Sequence, residues 1–251
     1  MVSTKKIFFT IYLLLGVFAC AQQHWSYQGE DAPEHWGEIK GNEKCNENGN
    51  QSPINIVISQ VKNDNSLPII EYHYNDADVK NIEDNGHSLQ FNFNKGSFIK
   101  YQGKSYELIQ FHAHEEAEHT IDGMRYPLEL HFVHKAADGS VLVIGIMVKD
   151  GMENSYFEKL SVFKAIAKNS KENTDIIFNP QKMYPDNKAY YMYSGSLTTP
   201  PCSGNVIWIL FKSPITMTED EIASIAKYLP KNNNRPVQPL NARIVFGKNE
   251  L

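Results

Sequence analysis

Residues 106–114 read YELIQFHAH, and residues 128–134 read LELHFVH. Both segments combine β-branched or aromatic residues with polar residues, as half-buried β-strands do. Alternate side chains of a strand lie on one face. On the first strand, one face is therefore predicted to carry Leu108, Gln110, His112 and His114. On the second strand, one face is predicted to carry Glu129, His131 and Val133. If the two strands pair, their three histidines converge over one patch of sheet.

Three neutral imidazoles with an open fourth position form a catalytic zinc site, whereas a structural site is closed by four protein ligands that usually include cysteines. We therefore predict Zn²⁺ at His112, His114 and His131, although imidazole also suits copper, iron and nickel. Gln110 and Glu129 each precede a histidine by two positions on the same face. Such residues hold the second nitrogen of a ligating histidine, and they would be costly on a face that only packed a core.

Short β-segments dominate the rest of the chain. Segments rich in β-branched or aromatic residues and bounded by turn signals such as Asn85-Gly86 predict strands at 69–74, 88–93, 106–114, 128–135, 141–148 and 205–211. Helical periodicity predicts helices at 154–168 and 218–229, and Thr218 with Glu221 forms a capping box at the start of the second. Residues 24–53 show no periodicity, which indicates an irregular segment that wraps a core.

The 251 residues contain no segment that resembles a linker, so residues 22–251 are predicted to form one domain. Lys5 and Lys6 precede an apolar run, residues 7–19, that is too short for a membrane-spanning helix. This pattern is typical of a secretory signal peptide at residues 1–21, with cleavage after the small residues around Cys20. A lipid anchor on Cys20 is the alternative. The protein is therefore predicted to be exported, to the periplasm or outside the cell.

The cysteine count agrees with export. Without Cys20, the chain retains Cys45 and Cys202, which would bond in an oxidising compartment; the alternative is two unrelated free thiols. Removal of residues 1–21 deletes two lysines and no acids, which moves the formal charge from −5 to −7. This charge argues against nucleic acid or an anionic membrane surface as a partner.

Several short motifs, in this order, resemble the α-carbonic anhydrase family over His24–Phe246, in its bacterial and secreted branches. They are WSYQGEDAPEHW at 25–36, QSPINI at 51–56, NGHSLQF at 85–91, QFHAH at 110–114, EHT at 118–120, LELHFVH at 128–134, YSGSLTTPPC at 193–202 and NNRPVQPLNAR at 233–243. The resemblance implies a mostly β fold, with a large, twisted, mainly antiparallel central sheet, a few peripheral helices and a conical cavity that reaches the metal.

The resemblance also implies a reaction. It is the reversible hydration of carbon dioxide to bicarbonate and a proton by zinc-bound hydroxide, with His87 as a proton shuttle. Thr198 would accept a hydrogen bond from the hydroxide and donate its own proton to Glu118, and Thr199 would lie beside the substrate. The water chain would be held by Tyr27, Asn85 and Gln90. The apolar wall for carbon dioxide would consist of Val133, Val143, Leu197, Val206 and Trp208.

The resemblance further implies inhibition by sulfonamides and anions, and it allows a homodimer. His87 has a second interpretation as an ordinary turn histidine beside Asn85-Gly86. We assign no role to His134 and expect surface or structural roles for His24, His35, His73 and His119.

Three alternatives concern the whole chain. In a cupin-like metal enzyme, Glu118 would be a fourth ligand, but the second cupin motif is incomplete around His131. A binding protein that kept the fold and lost catalysis would be expected to lack zinc-binding histidines, and all three are present. A zinc peptidase of the H-E-x-x-H type lacks its motif in this sequence.

Overall fold

A computed structural model describes residues 24–47, 49–75, 77–157 and 166–250 of the chain. The predicted signal peptide, residues 1–21 with Cys20, lies outside the described residues. The predicted helix 154–168 lies largely outside them too, since residues 158–165 are not described. Among the described residues, no helix is both long enough and apolar enough to cross a membrane.

Strands make up most of the regular structure. The strands of the described residues are β1 (Asn55–Ile56), β2 (Lys62–Asn63), β3 (Glu71–His73), β4 (Ala77–Asp84), β5 (Leu89–Phe93), β6 (Phe98–Tyr101), β7 (Lys104–Glu115), β8 (Thr120–Ile121), β9 (Met124–Arg125), β10 (Leu128–Lys135), β11 (Val141–Asp150), β12 (Lys171–Asn173), β13 (Ile177–Phe178), β14 (Tyr190–Ser196), β15 (Gly204–Phe211), β16 (Ile215–Met217) and β17 (Phe246–Lys248). Short 3₁₀ turns lie at Gly29–Asp31, Trp36–Glu38, Glu43–Asn46, Ile58–Gln60 and Pro180–Met183.

One 14-stranded sheet organises the molecule. Ten strands follow the path β12-β4-β5-β7-β10-β11-β15-β14-β17-β2, and β3, β6, β13 and β16 pair off this path. Most neighbours along this path are antiparallel, whereas the pairs β11–β15 and β17–β2 are parallel. A smaller sheet has the order β1-β8-β9. The predicted fold class, mostly β with a large and mainly antiparallel sheet, is therefore confirmed.

The single α-helix of the described residues, α1 (Glu219–Ala226), starts where the sequence predicts. The Thr218 side chain accepts a hydrogen bond from the backbone N–H of Glu221, and the Glu221 carboxylate accepts one from the backbone N–H of Thr218. This reciprocal cap satisfies two donors that a helix start leaves unpaired. The helix ends at Ala226 rather than at the predicted residue 229. Ile225 is fully buried against the main core, so α1 packs against the outside of the sheet.

Strand pairing aligns side chains in rows across one face of the sheet, because directly opposed residues share a face. One row is Gln90, His112, His131 and Gly145, on β5, β7, β10 and β11. The adjacent row on the same face is Gln110, Val133, Val143 and Trp208. The sheet therefore places a row that contains histidines beside a row that is mostly apolar.

The opposite face packs against the main apolar core, and here one prediction is wrong. Leu108 is 1% exposed and belongs to this core together with Phe111 and Ala113, rather than to the histidine face. The register moves from Val133–Gln110 to His134–Leu108, which leaves Ile109 as an extra residue. Such a β-bulge inverts the alternation on either side of it. Ile109 is accordingly 39% exposed.

The N-terminal segment is irregular, as predicted, and contains its own small core. Trp25 and Trp36 pack with Cys45 and Cys202, which form a disulfide across 157 positions of sequence. The Arg235 guanidinium is buried beside this cluster and donates to the Cys45 carbonyl at 2.8 Å. The predicted pairing of the two cysteines is confirmed.

His134 lies in the main core, on the face opposite the zinc-ligand candidates. Its Nε2 is 2.7 Å from the hydroxyl of Tyr74, which is 2.9 Å from the hydroxyl of Tyr184. Burial lowers the pKa of His134 to about 3. A histidine in an unfolded chain titrates near 6.5, so the unfolded state binds more protons than the folded state between about pH 6.5 and pH 3.

We therefore expect His134 to destabilise the protein as the pH falls through this window. One proton corresponds to about 1.4 kcal/mol of unfolding free energy per pH unit. The His134→Gln variant keeps a hydrogen-bonding side chain and does not titrate. Urea unfolding at pH 7 and pH 4.5 should show a smaller acid loss of stability in the variant than in the unaltered protein. An equal loss in both would show that His134 does not contribute.

Candidate functional site

Three histidines converge on the sheet face described above. One ring nitrogen from each of His112, His114 and His131 lies within 4.8 Å of the other two. His112 and His114 are two positions apart on β7, and His131 lies directly opposite His112 on β10. His114 and His131 are fully buried, while His112 is partly exposed. The antiparallel register alone therefore brings the predicted ligands together.

The other nitrogen of each ring is held by an oxygen acceptor. His112 Nδ1 donates to Gln110 Oε1 at 2.8 Å, His131 Nε2 donates to Glu129 Oε1 at 2.8 Å, and His114 Nδ1 donates to the backbone carbonyl of Asn233. Because each held nitrogen carries a proton, the opposite nitrogen of each neutral ring offers a lone pair. The three free atoms are His112 Nε2, His114 Nε2 and His131 Nδ1.

This arrangement fits a metal ion. His114 Nε2 is buried and has no hydrogen-bond partner among the described residues. A buried polar atom is rarely left without a partner unless an ion or a water molecule completes its environment. Three imidazoles and one open position are the donor set of catalytic zinc.

The surroundings favour the neutral form of His112 and His114 and the charged form of His131. Removal from solvent lowers the pKa of His112 and, to a lesser degree, that of His114. Burial also disfavours the charged form of His131, but the Glu129 and Glu118 carboxylates outweigh it and raise the pKa of His131. Burial would raise the pKa of Glu129, yet the neighbouring His119 and His131 hold it well below its usual value. Glu129 is therefore a buried carboxylate that stays ionised.

Glu129 accepts several hydrogen bonds at the base of the site. Its Oε2 accepts from the backbone N–H groups of Glu118 and His119 at 2.9 and 2.8 Å, and its Oε1 accepts from the His119 and His131 rings. Gly145 provides space for this carboxylate, because a Cβ at Gly145 would lie 3.1 Å from Glu129 Oε1. His119, predicted as surface or structural, is fully buried and connects onward to the Tyr193 hydroxyl at 2.6 Å.

Glu118 lies beneath the same histidines. Its Oε1 accepts from the backbone N–H of Arg235 at 2.8 Å, and its Oε2 is buried without a hydrogen-bond partner among the described residues. Oε2 lies 3.5 Å from His114 Nε2 and 4.0 Å from His131 Nδ1. The expected hydrogen bond from Thr198 to Glu118 is therefore not formed in this structure, since this oxygen faces the free histidine nitrogens instead.

A cavity of about 290 Å³ opens above the histidines. Most of the predicted site residues line it, namely Tyr27, Asn85, His87, Gln90, Gln110, His112, His114, His131, Val133, Val143, Leu197, Thr198, Thr199 and Trp208. Val206 does not line it; instead, Val206 is buried in the apolar cluster behind the wall, and Val141, its partner on β11, lines the cavity. Val141 lies two positions before Val143 on the same strand, so the alternation of side chains could have identified it as a residue that lines the cavity. Trp25 and Ser88 also line the cavity without having been predicted.

The rim of the cavity carries His87. Its ring stacks on Trp25 with ring centroids 3.6 Å apart, and the Asn85 side-chain oxygen accepts from the backbone N–H of His87 and of Ser88. Partial burial, reinforced by the positive charges of His24 and Lys168, lowers the pKa of His87 to about 4. The Tyr27 hydroxyl is buried, which raises its pKa, and it has no hydrogen-bond partner among the described residues.

The disulfide lies against the loop that carries two of the predicted site residues. The backbone N–H of Cys202 donates to the Thr199 carbonyl at 2.9 Å, and Gln51 Nε2 donates to the Cys202 carbonyl at 3.3 Å. The loop with Thr198 and Thr199 is thus attached to the N-terminal segment through Cys45.

Three histidines with free nitrogens at the floor of a cavity define the class as β-sheet proteins with a group of side chains that could hold a metal ion. The family model of the eukaryotic-type carbonic anhydrases matches residues 31–249. A carbonic anhydrase of Klebsiella pneumoniae is 38% identical over 228 residues, which cover 89% of this chain and 90% of that protein. The chain therefore belongs to the eukaryotic-type, or α, carbonic anhydrase family, and it is an enzyme of that family.

Solved structures agree with this assignment. The α-carbonic anhydrase of Thermovibrio ammonificans in complex with sulfanilamide is 39% identical, with a TM-score of 0.84 over 89% of this chain and 98% of that one. Dioscorin complexed with ascorbate is 28% identical, also with a TM-score of 0.84, over 91% of this chain and 99% of that one. The same fold therefore occurs in proteins solved with chemically different small molecules.

We expect Glu129 to control the metal affinity of this chain. The Glu129→Gln variant removes the charge that faces His131, and loss of such a supporting contact weakens metal binding by about 10- to 100-fold. The matched control is Glu116→Gln, which changes a carboxylate that is 67% exposed. Competition with a chromophoric chelator measures both zinc dissociation constants. Equal affinities for the two variants would contradict this role of Glu129.

Proposed function

We propose that this chain is a zinc-dependent carbonic anhydrase that converts carbon dioxide and water reversibly into bicarbonate and a proton. The observation that carries the proposal is the set of three histidine nitrogens left free at the floor of a half-apolar cavity. His112 Nε2, His114 Nε2 and His131 Nδ1 would hold Zn²⁺, with Gln110, Asn233 and Glu129 keeping the rings oriented. When bound, zinc would activate a water molecule by lowering its pKa.

The cavity wall suits an apolar substrate. Val133, Val143 and Trp208 occupy one row across the sheet, and Leu197 lines the same cavity. Carbon dioxide carries no net charge, so this wall would hold it by burial of apolar surface rather than by an ionic clamp. Thr199, beside Leu197 and Thr198, would lie next to the substrate.

Thr198 and Glu118 would orient the attacking water. Glu118 Oε2 is buried and lacks a donor, and such an atom gains by accepting a hydrogen bond. We propose that the Thr198 hydroxyl turns to donate to this oxygen when the metal is bound. Its oxygen could then only accept a hydrogen bond from the water, which would aim the water's lone pair at the substrate carbon.

His87 would carry the product proton away from the centre of the site. Its ring lies at the rim, where Tyr27, Asn85 and Gln90 also line the cavity and could hold intervening water molecules. A proton can pass between groups that are within hydrogen-bond reach or that share one water. The low pKa of His87 in this position means that it would hold a proton only briefly.

The proposal also includes the location of the mature chain and its inhibition by small molecules. The buried Cys45–Cys202 disulfide is typical of proteins outside the cytosol, which supports a periplasmic or extracellular location for the mature chain. The sulfanilamide complex of the Thermovibrio ammonificans relative supports sulfonamide inhibition of this chain. Anion inhibition and a homodimer are further expectations from the family.

Two other functions remain as outcomes of the tests. A cupin-like site would use Glu118 as a fourth ligand, which its Oε2 position near two histidine nitrogens favours. A binding protein on the same fold would bind a small molecule without turnover, and the dioscorin–ascorbate complex is the observation in its favour. Metal content of a Glu118→Gln variant tests the cupin-like site, because a zinc site of three histidines keeps its metal without this carboxylate. Turnover of the unaltered zinc-loaded protein tests the binding function.

The ligand assignment predicts the behaviour of a His131→Ala variant. Loss of one of three protein ligands should remove zinc and reduce carbon dioxide hydration to the rate of the uncatalysed reaction. Stopped-flow hydration with an indicator dye, together with metal analysis, measures both. The matched control is His35→Ala, which removes a partly exposed histidine that does not line the cavity. Full activity in the His131 variant would refute the ligand set.

The shuttle assignment predicts the behaviour of a His87→Ala variant. Its maximal hydration rate in weak buffer should fall by about tenfold or more, since a positioned acid–base group is lost. The rate should recover when imidazole buffer is added, and kcat/KM should stay unchanged. Normal turnover of this variant in weak buffer would mean that another group carries the proton.

A further inference from the structure

A second cavity, which we call the edge cavity, lies beside β14 and β17 near one edge of the sheet and has a volume of about 270 Å³. Its apolar walls are formed by Ile69, Ile70, Tyr72 and Tyr190. Ile70 and Tyr190 belong to the main core, which lies on the sheet face opposite the three histidines. The edge cavity shares no lining residue with the cavity above the histidines, so the two are separate pockets.

The walls of the edge cavity suit a flat apolar group. Tyr72 and Tyr190 contribute aromatic side chains to it, and Ile69 lines it while being 71% exposed. Aromatic rings attract one another in offset or edge-on arrangements, and a ligand that covers Ile69 removes apolar surface from water. Ligand sites of proteins combine such walls with a few charged or polar groups that fix the orientation of the ligand.

Two lysines supply positive charge to the edge cavity. Lys248, directly opposite Tyr190 in the sheet, is only 8% exposed, and its Nζ donates to the Asn65 carbonyl at 3.0 Å. Lys188 is half-buried, and its Nζ donates to the Pro185 carbonyl. Neither ammonium group forms an ion pair with a carboxylate of the described residues. A charge largely removed from water normally has a partner of opposite charge, so these two groups favour an anion in the cavity.

The acidic groups around the edge cavity leave room for a single negative charge. Glu250 is the one carboxylate among the described residues that line it, and its Oε1 accepts from the backbone N–H of Lys188 at 3.3 Å. Asp64 and Asp186 lie near the two ammonium groups without lining the cavity. The lining thus carries two positive charges and one negative charge. The excess of one positive charge matches a monoanion better than a dianion.

One hydroxyl at the edge cavity is available to donate a hydrogen bond. The Tyr72 hydroxyl is buried and has no hydrogen-bond partner among the described residues, whereas the Tyr190 hydroxyl donates to the Pro68 carbonyl at 2.7 Å. Burial raises the pKa of Tyr72, so its hydroxyl keeps its proton at neutral pH. A buried polar atom without a partner normally indicates that a missing group completes its environment. A carboxylate in the cavity would accept this hydrogen bond.

We propose that the edge cavity is a second ligand site, which binds a small monocarboxylate with a flat apolar body, such as an aromatic acid. The ring of the ligand packs against Ile69, Tyr72 and Tyr190. Its carboxylate pairs with Lys188 and Lys248 and accepts the hydrogen bond of the Tyr72 hydroxyl. This site lies apart from the three histidines, so the inference does not depend on the reaction proposed for them.

Fluorine NMR of 4-fluorobenzoate with the zinc-loaded protein tests the site. A carboxylate can also ligate a metal ion, so the titration is run with and without saturating sulfanilamide, which would occupy the cavity above the histidines. Saturable binding with a dissociation constant of about 1 mM or tighter should persist in the presence of sulfanilamide. The uncharged 4-fluorobenzyl alcohol should bind at least about tenfold more weakly, because it cannot pair with the ammonium groups.

Three variants locate the binding on the edge cavity. Lys248→Met and Lys188→Met each remove one ammonium group, and Tyr72→Phe removes only the unpaired hydroxyl. Each should weaken the binding of 4-fluorobenzoate about tenfold, since a hydrogen bond to a charged group is lost. The matched control is Lys62→Met, which changes an exposed lysine on the neighbouring strand β2 that does not line the cavity. This control should bind as the unaltered protein does.

Three results would overturn the proposal. They are the absence of saturable binding to the unaltered protein, displacement of 4-fluorobenzoate by sulfanilamide, and equal affinities of Lys248→Met, Lys188→Met and Lys62→Met. Equal binding of 4-fluorobenzyl alcohol would also contradict it, because the lysines would then play no part. Melting temperatures identify any loss of binding that comes from misfolding, and Tyr72→Phe, which keeps the shape of the ring, remains informative if Lys248→Met does not fold.

Discussion

The antiparallel register between β7 and β10 is the constraint on which the rest of the site depends. It sets His112 directly opposite His131 and His114 directly opposite Glu129. Because strand side chains alternate, a slip by one residue would move every one of these groups to the other face. The opposite face carries Phe111, Phe132 and the rest of the main core, so the burial of apolar surface fixes the register. The hydrophobic core thereby determines where the three proposed metal ligands lie.

The second constraint is the buried charge of Glu129. An unpaired carboxylate at zero exposure would cost several kcal/mol. Here two backbone N–H groups and two histidine rings donate to it, and Gly145 leaves room for it. The backbone donors belong to Glu118 and His119, which follow β7 in the chain. The carboxylate that orients His131 therefore also fixes the segment that carries Glu118. The orientation of the His131 ring and the position of Glu118 are thus coupled.

Much of this could be predicted from the sequence, for identifiable reasons. The strands with the histidines show clear alternation, and the supporting residues Gln110 and Glu129 follow from the same alternation. The bulge at Ile109 could not be predicted, because no glycine or proline marks it. Leu108 was therefore predicted on the wrong face. The contacts of Asn233 with His114 and of His24 with His87 join residues far apart in the chain, so only the fold reveals them. β4 and β14 were missed because polar residues, serine and glycine interrupt their apolar patterns. The roles of Thr198 and Thr199 were suggested by family resemblance alone.

We propose that three histidine nitrogens hold one zinc ion and leave a position open for solvent. Anomalous diffraction at the zinc absorption edge, from crystals of the purified protein, tests this most directly. We expect one anomalous peak about 2.0–2.1 Å from His112 Nε2, His114 Nε2 and His131 Nδ1, with no protein atom as the fourth ligand. A peak bonded to Glu118, or no peak between these rings in zinc-loaded protein, would contradict it.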